Sequence, residues 1–134
     1  MLVKYCPKGI DIYYDNVGGE ILDESFINAN NFARFIECGM ISQYNKKPQD
    51  QYGLRNTMLI VGKQLAINGF IVSSLMPKYF KEFFEKMPKW VNDKELFYKE
   101  DVTVGIENEV QGLVGMLKGK NFGKAVIKYA DLGA

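Results

Sequence analysis

The chain has no histidine among its 134 residues. That excludes Ser-His-Asp and Cys-His nucleophilic mechanisms, together with every zinc site that uses an imidazole. Cysteine is scarce: only Cys6 and Cys38 occur, they form no CxxC pair, and two thiolates cannot close a structural zinc site. They read as two buried free thiols rather than a disulfide, as expected in a reducing cytoplasm, and no metal is expected. Neither sign of charge dominates, with 17 basic against 16 acidic residues. Such a balance offers no field for nucleic acid and no acidic tail, so Lys46-Lys47 reads as a solvated loop. Long apolar runs are missing as well. Met58–Val61 is far too short to cross a bilayer, and Met1–Cys6 has no apolar segment after its charge to make a secretory signal. A cytoplasmic protein without membrane contact is expected.

The last absence concerns phosphate. No GxGxxG occurs, and Gly115–Lys120 is one residue short of a P-loop and lacks the following Ser or Thr. Gly112, Gly115, Gly119 and Gly123 have a different spacing, which suits packing or capping.

What is present is an ordinary globular balance, 47% hydrophobic and 25% charged, in a chain long enough for a core. Gly9–Tyr14 is β-branched and aromatic and ends in Asp15-Asn16, a strand running into a turn. Gly18-Gly19 then opens a helix near Glu20–Ile27, with Leu22 and Phe26 on one face and acidic residues toward its N-terminal end. Ala33–Cys38 reads as a second strand, residues 46–56 as a surface loop, and Met58–Lys63 as a short helix. Gln64–Val72 yields a third strand. Pro77 opens a helix whose Phe80, Phe83, Phe84 and Met87 recur at i, i+3, i+4 and i+7, a stripe that reads as core packing against a sheet. Pro88 ends or kinks it. Glu95–Tyr98 follows as a strand. The helix Gly105–Lys118 has an apolar face of Ile106, Val110, Leu113, Val114 and Leu117 and stops at Gly119. Lys124–Tyr129 makes a final strand. Alternation of strands and helices points to an α/β fold with a parallel sheet.

Three segments carry a resemblance: Asp15-Asn16-Val17-Gly18-Gly19-Glu20, Cys38-Gly39-Met40-Ile41-Ser42-Gln43-Tyr44-Asn45, and Gly119-Lys120-Asn121-Phe122-Gly123-Lys124. Between Tyr5 and Tyr129 the chain resembles the C-terminal portion of the zinc-independent, NADP-dependent alkenal and prostaglandin reductases. These are double-bond reductases of the medium-chain dehydrogenase/reductase superfamily. The resemblance implies the C-terminal half of a Rossmann-type parallel sheet over residues 1–92. Residues 93–134 would be the closing strand-helix-strand of the substrate-binding domain. It further implies NADP as cofactor, hydride transfer from NADPH to an α,β-unsaturated aldehyde or ketone, and a homodimer through strand 66–72. The glycine motif and the 2′-phosphate grip of the family lie upstream of the matched segments, so an N-terminal fragment partner is implied for them.

By the same resemblance the cofactor-binding residues are Asn16, Cys38, Gly39, Ile41, Tyr44, Phe70, Ile71, Val72 and Asn121, and Tyr44 is the catalytic proton donor. Several have a plainer reading. Asn16 suits a turn, Tyr44 a half-buried aromatic with a solvated hydroxyl, Phe70–Val72 a buried strand, and Asn121 part of a helix cap. The chain departs from the family at Glu109-Val110, where Ala-Pro commonly follows Glu-Asn, and at Asn92–Glu95, where a basic glycine-containing stretch is usual. The alternative to an enzyme piece is a non-catalytic remnant or split-gene subunit that acts as a folding or association partner.

Overall fold

The computed structural model describes residues 2–131. They fall into two compact units, Met1–Phe80 and Lys81–Ala134. The first begins with a short helix, α1 (Leu2–Tyr5), and strand β1 (Ile10–Asp15). Helix α2 (Gly19–Asn28) crosses over to β2 (Ala29–Glu37), followed by α3 (Ile41–Tyr44), α4 (Met58–Gly62) and β3 (Ala66–Gly69). The three strands form one parallel sheet in the order β1-β2-β3. The start of β2 is irregular, because Phe32 adopts φ +65° and turns its amide to the Lys63 carbonyl.

The core of this unit follows from the helical spacing of α2. Leu22 and Phe26, four residues apart, face the sheet and meet Ala33 and Phe35 of β2. Phe26 lies edge-on to Phe35 with ring centroids 4.9 Å apart, and both rings are wholly buried. Lys63 closes the far end of α2, its Nζ donating to the carbonyls of Phe26, Ile27 and Ala29 at 2.7–3.1 Å. Asp23, also buried, accepts from the Arg55 and Asn56 amides, the Asn56 side chain and the Tyr52 hydroxyl, and so ties residues 52–56 to the helix.

Helix α5 (Val72–Asn92) leads out of the first unit into the second, which holds β4 (Glu100–Val104), α6 (Glu109–Leu117) and β5 (Lys124–Lys128). β4 and β5 pair in parallel, so this is a single β-α-β crossover. Gly119, at φ +67°, takes the left-handed position after α6; its amide bonds Met116, and the Lys120 amide reaches back to Gly115. These two bonds form a Schellman stop where the sequence placed one.

Several expectations are corrected. The third strand ends at Gly69 rather than Val72, because the Ser74 amide and hydroxyl both return to the Ile71 carbonyl and start the next helix. That helix begins at Val72, not Pro77, and runs through both Pro77 and Pro88. Each proline removes one i→i−4 bond, and 21 residues of helical pattern outweigh that loss. The strand expected at Glu95–Tyr98 lies at Glu100–Val104, since the Glu95 and Leu96 amides are both spent on the Trp90 carbonyl closing α5. The helix expected from Gly105 opens instead as a 3₁₀ turn, Ile106–Asn108, and the loop 46–56 contains another, Pro48–Asp50. The aromatic stripe of α5 is not core: no residue of that helix is buried, and Phe83 is 52% exposed. The apolar face of α6 is exposed likewise. Cys6 and Cys38 are free thiols, half-buried rather than buried.

Candidate functional site

Parallel strands end on the same side of a sheet, and their C-terminal loops form the crevice in which α/β proteins bind ligands. In the first unit these loops are joined by the backbone. The Asp15 carbonyl at the end of β1 accepts from the Cys38 and Gly39 amides after β2, at 2.8 and 3.1 Å. The Asn16 carbonyl accepts from Ile41, Val17 from Ser42, and the Glu37 carbonyl from Phe70 after β3. The Asp15 carboxylate, wholly buried, accepts from the Val17 and Gly18 amides at 2.8–3.0 Å. It thereby shapes the turn in which Gly18 and Gly19 both take positive φ.

These loops surround an open hollow of about 710 Å³ lined mainly by Cys38, Gly39, Met40, Tyr44, Phe70 and Ile71, with Glu37, Gly69 and Ser74 completing the wall. Five of the residues singled out in the sequence therefore line one surface. Gly39 is there for space: a Cβ would come within 2.8 Å of the Tyr44 hydroxyl and 3.5 Å of the Asn16 carbonyl. The Tyr44 hydroxyl accepts from the Met40 amide at 2.9 Å, and the ring is 62% exposed. Asn16 and Ile41 hold the loops together but do not line the hollow, and Val72 opens α5 with its side chain exposed. Asn121 lies in the second unit. Its amide donates to the Gly123 carbonyl at 2.7 Å, and it lines a separate hollow of about 400 Å³ with Asp101, Thr103, Asn108, Gln111 and Lys120.

Glu37 was overlooked in the sequence, where a lone acid at a strand end carries no signal. Both its carboxyl oxygens are buried without a hydrogen-bond donor. Burial foremost, then the charge of the neighbouring Asp15 carboxylate, push its pKa up to about 7. Tyr14, beside the same strand end, is raised chiefly by its hydrogen bond with Cys38. Among the described residues no group of three or more His, Cys, Asp or Glu side chains could hold a metal ion. None of the described helices is long and apolar enough to cross a membrane.

Known proteins match this arrangement. A zinc-type alcohol dehydrogenase-like protein of Schizosaccharomyces pombe is 45% identical over 97% of the chain, which spans 37% of that protein. The NADPH-dependent curcumin reductase of Escherichia coli is 41% identical over 96% of the chain and 38% of its own length. Among solved structures, CurA of Vibrio vulnificus in complex with NADPH superposes with a TM-score of 0.81 at 35% identity, covering 98% of this chain and 40% of CurA. Curated relatives at 35–45% identity also include alkenal and prostaglandin reductases, and all are matched in their C-terminal part. Over nearly its whole length the chain is thus similar to the C-terminal part of NADP-dependent oxidoreductases, alkenal and prostaglandin reductases among them. Its fold is accordingly that of the C-terminal part of a medium-chain dehydrogenase/reductase. No family model matches the sequence. The chain spans less than two-fifths of the length of the curated relatives it matches.

Proposed function

We propose that this chain forms the nicotinamide-side part of an NADP-dependent reductase of the C=C bond in α,β-unsaturated aldehydes and ketones. The observation that carries the reading is the apolar hollow at the strand ends, where Cys38, Gly39, Tyr44, Phe70 and Ile71 converge. A flat, weakly polar ring fits such a surface, and the missing Cβ of Gly39 leaves the backbone open to close approach. Only that end of a dinucleotide fits the residues present: the sequence has no glycine-rich phosphate turn. The Asp15 carboxylate occupies the Val17 and Gly18 amides, so this turn does not replace one. A further segment, equivalent to the N-terminal part of the relatives, would supply the phosphate site.

NADPH, when bound, supplies the hydride for the β-carbon of the enone. The chain's own residues would orient and protonate. Ile71, Phe70 and Met40 give one side of the hollow an apolar wall, and Cys38, Gly39, Ile41 and Val72 belong to the segments that shape it. Tyr44 is the proton donor: its phenol, held by the Met40 amide, delivers a proton to the developing enolate. Asn16 secures the two loops through its carbonyl; Asn121 is assigned to the same cofactor by the resemblance, with residues 93–134 read as the closing segment of the substrate domain and residues 1–92 as the Rossmann part. The lack of histidine and the separation of Cys6 from Cys38 favour chemistry without zinc. The open edge of β3 is where a second copy would pair, giving a homodimer.

The test is calorimetric titration of the chain with NADPH, with NADH as control. Saturable, NADPH-selective binding supports the reading, and enone reduction is then measured with the N-terminal segment of a relative added. No binding with or without that segment favours a non-catalytic association partner. In the reconstituted enzyme, Tyr44→Phe should lower enone turnover by about 10²-fold while leaving NADPH affinity within about threefold. Unchanged turnover would remove Tyr44 from the mechanism.

A further inference from the structure

The acidic pair at the strand ends has no part in the chemistry above. Asp15 closes β1, Glu37 closes β2, and the two are register partners. Three of the converging loop segments are fastened to them. Val17 and Gly18 hang on the Asp15 carboxylate, Cys38 and Gly39 on the Asp15 carbonyl, and Phe70 on the Glu37 carbonyl. Glu37 itself belongs to the wall of the hollow, yet both its carboxyl oxygens are buried without a donor. An ionised Glu37 here would be stripped of water beside a second carboxylate, and both effects oppose its charge. One proton removes the conflict. Donated from Glu37 to Asp15, it turns the repulsion of two facing carboxylates into a hydrogen bond, on the Asp15 oxygen that accepts only from Gly18. Tyr13, on the same face of β1, stays a neutral phenol and brings no counter-charge, since burial first, then the charges of Asp15 and Glu37, push its pKa up to about 12.

We propose that Glu37 is a positioning residue of the hollow, a neutral acid whose proton, shared with Asp15, locks the ends of β1 and β2 together. The assignment of the hollow to a nicotinamide rests on the preceding reading; the lock does not. Its pH dependence has a definite sign. A folded-state pKa near 7 against an ordinary 4.5 means that the folded chain keeps a proton the unfolded chain has lost. Stability therefore falls as pH rises from about 4.5 to 7 and is level above, the unfolding constant growing by at most about tenfold per pH unit. Above that range two anions face each other and the strand ends part.

The experiment is an NMR titration of the full chain and of Glu37→Gln, following the Gly18, Gly39 and Phe70 amides and the Glu37 side-chain carboxyl. In the wild type all should move with one midpoint near 7, and in the variant the amides should stay still. A Glu37 carboxyl titrating near 4.5, or amides that still step in Glu37→Gln, would overturn the lock. Should the variant not fold, the wild-type carboxyl titration decides. Calorimetry with NADPH at pH 6 and 8.5, with the N-terminal segment of a relative added, separates the two readings. Binding weakened several-fold at the higher pH in the wild type alone supports the positioning role, and pH-independent binding overturns it. No binding at either pH, with the NMR step intact, upholds the lock and counts against the cofactor reading.

Discussion

The two units obey the same β-α-β rule and differ in what they bury. In the first, α2 lies over three parallel strands, and Leu22, Phe26, Ala33 and Phe35 are shut away from water. In the second, α6 connects only two strands, and no described residue of that unit is buried. Leu113 and Val110 of α6 remain 52% and 73% exposed although their spacing is that of a core-facing helix. A helix on a two-stranded ribbon meets too little facing surface to enclose a side chain, so correct periodicity does not by itself make a core. The difference also bears on function. The converging site loops stand on the unit that has a core, where rigid strand ends can hold them.

The largest test of this contrast is truncation on each side. Phe26→Ala should cost about 3–5 kcal/mol by urea unfolding, as for other buried rings, while Leu113→Ala costs well under about 1 kcal/mol. Equal costs would mean that the second unit has a core in solution. Next in size is Asp23, which binds residues 52–56 to α2. Asp23→Ala should lose about 2–3 kcal/mol, because three backbone or side-chain donors and a tyrosine hydroxyl lose their acceptor. Burial opposes the charge of Asp23, but hydrogen bonds from Asn56, Tyr52 and Arg55 outweigh it and hold the pKa below the usual carboxylate range. Its contribution is thus present above the ordinary aspartate value and disappears as pH falls through the lowered one. Acid unfolding below about pH 4 should therefore be blunted in Asp23→Asn. A smaller effect is expected in the second unit. Gly119→Ala, at φ +67°, should cost about 1 kcal/mol at the end of α6, seen as faster amide exchange in its last turn. Unaltered exchange there would show that α6 is already frayed and would sharpen the contrast between the units.

Much of the first unit was legible. The β-branched and aromatic run ending in Asp15, the Gly18-Gly19 opening and the Leu22/Phe26 spacing are local signals, and the strand, turn and helix form where those signals stand. Gly119 was legible for the same reason. Errors came where a local rule met a competing bond. Pro77 and Pro88 read as punctuation, yet the amphipathic period of α5 carries through both. Glu95–Tyr98 has strand-like residues, but its first amides close the preceding helix. Phe70 and Ile71, named from a resemblance, line the hollow, while their strand assignment was wrong. Glu37 went unseen, because a strand-terminal acid is unremarkable until its neighbour proves to be another buried acid.

The sequence by itself determined the class of fold, the absence of histidine chemistry and the segments that match the double-bond reductases, because composition, period and motif are properties of the chain order. Only the tertiary structure decided which of those segments meet. Parallel pairing of β1, β2 and β3 brings Asp15, Glu37 and Gly69 to one end of a sheet, and so places residues far apart in the chain around one hollow. It also decided that the second unit's apolar stripes stay exposed, since burial depends on a facing surface and not on the pattern that seeks one.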